Sequence, residues 1–275
     1  MVYNRSIKTV LNFKTRGTCM NIAIVTGASN GMGREFAKIL DRENLEEIWG
    51  IGLEEENLKQ LADELATPFR AFAVDLTNGG VDQVVEQLQQ GNHDVRWLVN
   101  SAGFGKFGRY DEIPVEQSTN MVRLNCECLV EMTERVLPFM GAGAKIAQFS
   151  SVAAFQPTPY QNVYAATKAF VHSYSRALNV ELKPRKITCT AVCPYWTKTA
   201  FFDRAEQQNN VVTNMVVLYD PKAVVEKAYK DIKRGKDFSM YGFVARSQTR
   251  LVKFLPIKMV MNTWVKQQKF DKRYK

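Results

Sequence analysis

"NIAIVTGASNGMGREFAKIL", residues 21–40, changes character in its middle. It opens as a short apolar run, the pattern of a buried strand. It closes in "GREFAKIL", which begins an amphipathic helix. Between them lies "TGASNGMG", Thr26 to Gly33, with Gly27, Gly31 and Gly33 spaced G-x-x-x-G-x-G. Glycines permit a tight turn and close backbone approach, so a pyrophosphate can rest on the N-terminus of the following helix. An ordinary glycine-rich turn between strand and helix would carry the same letters. The surroundings must decide.

Outward from this turn the alternation repeats. "EEIWGIG" (46–52), "FRAFAVD" (69–75), "VRWLVN" (95–100), "AKIAQFS" (144–150) and "KITCTAVC" (186–193) are short apolar runs, and "FSMYG" (238–242) adds a last short strand. Helical segments separate them at 56–65, 80–90, 116–140, 162–183 and 221–234; the third is one long helix with Pro138 near its end. Strands alternating with helices predict a parallel sheet covered on both faces, a doubly wound α/β fold. Its 275 residues, 45% apolar and 24% charged, suit one such domain with a sizeable core. That domain spans 20–245, between a basic extension at 1–19 outside the fold and a basic amphipathic segment at 246–275.

Charge and cysteine usage exclude several classes. Of the net +9, residues 1–20 carry +4 and residues 246–275 carry +8, which leaves the body at −3. A mildly acidic body argues against nucleic acid as partner. The cysteines Cys19, Cys126, Cys128, Cys189 and Cys193 are odd in number and lack a C-x-x-C pair, and there are two histidines. A zinc site or disulfide framework is therefore not expected, and no metal is; a reducing cytoplasm fits. No window approaches the length of an apolar membrane span.

"YAATK", Tyr164 to Lys168, puts a phenol and an ammonium four residues apart, one above the other on a helix. Composition alone predicts about one such pair by chance, and Tyr229 with Lys233 supplies another. Taken with the glycine turn, Asp75 after the third strand, "NSAG" at 100–103, Asn125, Ser151 and "CPYWTKT" at 193–199, the chain resembles the short-chain dehydrogenase/reductase family, over residues 20–240. The resemblance implies an NAD(P)-dependent oxidoreductase interconverting a secondary alcohol and a ketone. It implies that Tyr164 exchanges a proton with the substrate oxygen and that Ser151 hydrogen-bonds that oxygen. Lys168 would tune Tyr164 and bind the nicotinamide ribose, and Asn125 would hold a water linking Lys168 to solvent. A free phenol has a pKa near 10, so forming phenolate at pH 7 costs roughly 4 kcal/mol, which a neighbouring ammonium reduces.

By the same resemblance the dinucleotide lies against Gly27, Ser29, Asn30, Gly31, Met32, Gly33, Leu53, Asp75, Leu76, Asn100, Ala102 and Gly103. Its nicotinamide end meets Tyr164, Lys168, Pro194, Thr197 and Thr199. Two residues depart from the family pattern: Ser101 replaces a second asparagine, and Tyr195 replaces a glycine. The end of the second strand has neither the usual acid nor the usual arginine, but Glu54, Glu55 and Glu56 follow Leu53. A 2′-phosphate would meet repulsion there, with Arg34 the only nearby cation, so NAD(H) is expected over NADP(H). Ser151, Phe155, Tyr160, Tyr195, Trp196, Phe201 and Phe202 are the candidate substrate contacts, and their apolar character suits a bulky hydrophobic ketone or alcohol, such as a hydroxysteroid or bile acid. The alternatives are a 3-ketoacyl-type reductase and a non-catalytic dinucleotide-binding regulator. The family implies a homodimer or homotetramer. The 246–275 segment, apolar and basic by turns, either packs on the protein or touches an anionic membrane.

Overall fold

The computed structural model describes residues 19–268 except 202–204, 206–214 and 216. Seven strands form one parallel sheet: β1 (Met20–Thr26), β2 (Glu47–Gly52), β3 (Phe69–Ala73), β4 (His93–Asn100), β5 (Lys145–Phe149), β6 (Thr188–Val192) and β7 (Phe238–Ser239), in the order β3-β2-β1-β4-β5-β6-β7. Strand residues alternate between two cores, as a pleat of period two requires. Ile22, Ile24, Trp49, Ile51, Leu98 and Ile146 meet α3 (Val81–Gln90), α5 (Cys128–Val136) and α6 (Asn162–Glu181). Ala23, Val25, Ile48, Val99, Ala147 and Phe149 meet α1 (Gly31–Leu40), α2 (Glu55–Glu64) and the helix Pro221–Lys233, here α7. Both faces are buried, which explains the uninterrupted apolar strands. The doubly wound fold is the one the alternation predicted.

The long helix expected over 116–140 is broken. It begins as α4 (Val115–Val122), passes through a π turn at Arg123–Glu127, continues as α5 and closes in a 3-10 turn at Leu137–Phe139. The π turn carries Asn125, which is fully buried. Such single wide turns often occur at functional positions because they re-aim one side chain. No feature of residue type marked the break in advance.

Helix α7 starts with Pro221 at its first position and with the Asp220 carboxylate accepting from the Lys222 N–H at 3.3 Å. The chain leaves it through Gly235 at φ +70°. The boundary expected after residue 245 falls inside α8 (Phe243–Leu251), which leads to α9 (Ile257–Gln267). Both helices fold back onto the sheet domain, burying Ala245, Val252, Val260 and Trp264. Among the described residues no helix is long and apolar enough to cross a membrane.

Candidate active site

Two connected chambers open where β1 and β4 diverge and the strand order reverses, the place where parallel sheets of this kind bind ligands. The first, about 930 Å³, is lined by the glycine turn, by Ile51 to Glu54, by Val74 to Leu76 and by Ser101 to Phe104. Gly27 and Gly31 have φ of +69° and +55°, and a Cβ added to Gly33 would sit 2.2 Å from the Gly27 carbonyl oxygen. Only glycine lets α1 press this closely on the turn. Asn30 precedes α1 without capping it, since its Oδ1 accepts from Asn57 Nδ2 at 3.0 Å. The first-turn N–H groups of α1 thus stay available at the chamber's edge. Thr26 Oγ1 accepts from the N–H groups of Ser101 and Ala102, at 3.1 and 3.0 Å, and clamps the turn to the end of β4. Thr26 was in the quoted motif, but its letter gave no hint of this role.

Three groups set the charge of this chamber. Glu54 accepts from Ser29 Oγ at 2.6 Å. Asp75 accepts from Thr77 N and Thr77 Oγ1, both at 2.8 Å. Arg34 is spent elsewhere, donating to the Asn57 carbonyl at 2.7 Å and to Glu64 at 2.8 Å. Leu53 lies exposed at the rim, Leu76 is buried, and Asn100 sits behind the wall, donating to Thr133 Oγ1 at 3.0 Å.

The second chamber, about 910 Å³, shares Met32, Ser101, Gly103, Thr199 and Phe201 with the first. Ser150 and Ser151 follow β5 directly, while Tyr164 and Lys168 stand on the first turns of α6. Ser151 and Tyr164 line the same chamber, and Ser151 Oγ accepts from Ala153 N at 3.1 Å. Lys168 Nζ lies 5.8 Å from the Tyr164 ring centre and donates to the Phe149 carbonyl at 2.8 Å. Ser150 donates to the Lys168 carbonyl at 2.7 Å, which fixes the helix against the strand. Burial among Phe107 and Phe201 pushes the Tyr164 phenol up to about 12, against a smaller lowering by Ser151. Burial also pulls Lys168 down to about 8. The lowered phenol expected from the lysine is therefore not what the chain alone creates: desolvation outweighs a cation set over the ring face. Nearby Cys193 meets His172 Nδ1 at 3.5 Å, and burial holds the pair neutral, Cys193 at about 12 and His172 at about 4.

Asn125 ties two elements of the site together. Its Oδ1 accepts from Phe104 N at 3.1 Å, and its Nδ2 donates to Phe104 O at 2.9 Å and Thr167 Oγ1 at 3.1 Å. The side chain is thus bound to three protein groups. It acts as a strut that ties the loop after β4 to α6. A Cβ on Gly103 would stand 2.8 Å from Asn125 Oδ1 and 3.3 Å from Lys168 Nζ, so the strut holds only with glycine there.

The structure gathers Ser151, Pro194, Tyr195, Trp196 and Thr197 around the second chamber, with Thr199 and Phe201 on its border with the first. Phe155 is a correction: it packs on His172 at 4.7 Å and on Phe238 and borders a separate surface groove. Tyr160, at φ +64°, lines neither chamber. Phe202 lies outside the described residues. Unforeseen contributors are Gln161, Phe107, Gln248 and Trp264. Phe107 meets Tyr164, Trp196 and Phe201 edge-on or tilted at 6.1–6.3 Å. Trp264 of α9 stacks on Trp196 at 6.4 Å and donates to the Pro159 carbonyl at 3.0 Å. Its only advance signal was apolar spacing in the C-terminal segment.

Residues 21–210 match the family model of the short chain dehydrogenases. The chain belongs to that family. Among curated relatives, 3-ketodihydrosphingosine reductase of Bacteroides thetaiotaomicron is 34% identical over 188 residues, 66% of this chain and 66% of the relative. A short-chain dehydrogenase of Sphingobium yanoikuyae in complex with NADPH superposes with a TM-score of 0.72 at 24% identity, over 86% of this chain and 96% of that one. The 3-ketoacyl-(acyl-carrier-protein) reductase of Brucella melitensis complexed with NADH gives 0.67 at 26% identity, over 77% and 90%. The chain is accordingly an oxidoreductase acting on carbonyl or CH–OH groups of small molecules, with a nicotinamide dinucleotide as cofactor. The first chamber fits that cofactor: its glycine cradle has no room for a Cβ, and uncapped helix N–H groups lie beside it.

Proposed function

We propose that the protein reduces a bulky hydrophobic ketone to a secondary alcohol, and performs the reverse oxidation, using NAD(H). The observation that carries the reading is that Ser151, Tyr164 and Lys168 line one chamber beside the first, with the Lys168 ammonium over the phenol ring. When bound, the nicotinamide supplies the hydride acceptor or donor. Ser151 Oγ holds the substrate oxygen, and Tyr164 Oη gives that oxygen its proton. At about 12 the phenol is firmly protonated, since phenolate at pH 7 would cost roughly 7 kcal/mol. It therefore serves as an acid at rest, and yields its proton only as charge develops on the substrate oxygen. Lys168, when charged, stabilises the phenolate left behind. A wall of Tyr195, Trp196, Phe201 and Trp264 favours large apolar groups, hydroxysteroid-like or long-chain acyl.

Preference for NAD(H) is supported by Glu54 at the rim and by Arg34 being held on Asn57 and Glu64. A homodimer would use α4 and α6, which expose Val115, Val122, Phe170 and Val180. The outer face of α8 and its exit expose Phe243, Leu251 and Phe254 among Arg246, Arg250 and Lys253, which suits a peripheral contact with anionic lipid. The free buried cysteines suit a cytoplasmic setting. Following NADH and NADPH absorbance with a panel of ketosteroids, aryl ketones and 3-ketoacyl compounds tests the reading. Turnover only of 3-ketoacyl compounds would favour a 3-ketoacyl-type reductase, and silence across the panel would favour a dinucleotide-binding regulator.

A further inference from the structure

Gln161 is the last residue before α6, three positions ahead of Tyr164. Its backbone is fully used: the N–H donates to the Thr158 carbonyl at 3.1 Å, and its carbonyl accepts from Ala165 at 2.8 Å. Its side chain is not. The residue is 2% exposed, yet its Nε2 has no hydrogen-bond partner. Among the described buried side chains that keep an unpartnered polar atom, Gln161 alone lines either chamber. Leaving a buried amide unpaired is costly, and native interiors rarely do so without a reason. Two hydroxyls of the same lining are engaged, Thr158 Oγ1 donating to the Gln156 carbonyl and Thr197 Oγ1 to the Tyr195 carbonyl, while Gln156 and Gln248 add two further amides to the wall.

We propose that the Gln161 amide is a second anchor for the substrate, donating to a neutral oxygen near the reacting carbonyl. The charge of the chamber selects the class of that oxygen. Among the described residues its lining holds no aspartate or glutamate, and Lys168 is the one cation, occupied at the reaction centre. A free carboxylate on the substrate would find no further counter-charge, whereas an ester, thioester or amide carbonyl needs only a neutral donor. Gln161 at the helix cap and Tyr164 on its first turn line the same chamber, so an anchor at Gln161 suits a carbonyl only a few bonds from the one that Tyr164 protonates. The preferred substrates are therefore β- or γ-keto acyl compounds with an apolar chain. This inference rests on the reading of the site as a carbonyl reductase and adds what the second functional group must be.

The test compares two apolar ketones of equal length, a plain alkyl ketone and a β-keto ester, with wild type and Gln161→Leu. Wild type should favour the keto ester in kcat/KM. Gln161→Leu should cut kcat/KM for the keto ester about ten- to hundredfold, and leave the alkyl ketone unchanged or better. An equal loss on both ketones, or none on either, overturns the anchor. If Gln161→Leu does not fold, Gln161→Met carries the same comparison. If wild type reduces neither ketone, the reaction reading fails, and the anchor is then judged by binding. The β-hydroxy ester with NADH present should raise Tm of wild type and not of the variant; equal shifts, or none, overturn it.

Discussion

The molecule carries the same motif twice, in two places that share almost nothing else. Tyr164 and Lys168 sit on α6, Tyr229 and Lys233 on α7, each pair four residues apart. In both the ammonium lies over the ring, at 5.8 and 5.7 Å. Tyr229, however, stacks on Trp97 at 5.7 Å and donates to Glu43 at 2.5 Å, while Lys233 bridges the same carboxylate at 2.8 Å. That pair is finished: its hydroxyl and its charge both have permanent partners. Tyr164 shares its chamber with Ser151, a hydroxyl able to hold a third oxygen, and among the described residues Lys168 has no carboxylate partner. Identical spacing yields a surface tie in one place and acid–base chemistry in the other, and the neighbours make the difference.

The largest contrast is expected on deleting each hydroxyl. Tyr164→Phe should lower kcat by about 10²–10⁴, while NADH binding followed by its fluorescence stays within a few-fold. Tyr229→Phe should leave kcat unchanged and cost about 1 kcal/mol of stability in a denaturant titration. Retention of more than a tenth of the rate by Tyr164→Phe would sink the proton-donor role.

Substituting the lysines should move stability in opposite directions. Lys168→Met should abolish activity yet raise stability by about 1–3 kcal/mol, because it removes a buried charge with one carbonyl partner. Lys233→Met should lower stability by under about 1 kcal/mol, as half-exposed ion pairs do. A destabilised Lys168→Met in a melting experiment would contradict the first half.

The pH dependence sharpens the same contrast. Burial lowers Lys168 to about 8, so the folded protein binds fewer protons than the unfolded chain between about 8 and the ordinary lysine value of 10.5. Stability attributable to Lys168 therefore rises over that window, while the reductive rate falls as pH climbs through about 8 and the charge is lost. Glu43 is held below the usual carboxylate range: burial opposes this, but its bonds to Lys233 and Tyr229 outweigh it. Its contribution is present above the unfolded carboxylate value and disappears as acid carries the pH through its lowered one. Rates and melting curves across pH, for wild type and Lys168→Met, check both signs.

The smallest change concerns the far end of the cleft. Leu53→Arg should raise the ratio of NADPH to NADH kcat/KM by about tenfold, by placing one cation where Arg34 does not reach. No shift in that ratio would mean that the 2′ position is not read at Leu53.

How much of this was legible follows from the physics of each part. The glycine turn, the strand series and the Ser151–Tyr164–Lys168 order are local: spacing along the chain carries them, and the sheet returned them in place. The second chamber is not local. Trp264 reaches Trp196 from 68 positions away, Phe107 meets both Tyr164 and Trp196, and Phe155 turns toward His172 instead. No periodicity announces which aromatic will face which. The strut at Asn125 has the same origin, since its partners at Phe104 and Thr167 lie about 20 and 40 positions away in sequence.

The neutral Cys193 beside His172 has a consequence for chemical durability. Thiols react as thiolates; burial raises all five cysteines, Cys19 with help from Asp94 and Glu46, and Cys19 is the one exposed cysteine. Alkylating reagents should therefore label the native chain once, away from the cleft, and leave turnover intact. Storage in air asks for no reducing agent to protect the centre, and a single dye at Cys19 would report on the molecule without touching its chemistry.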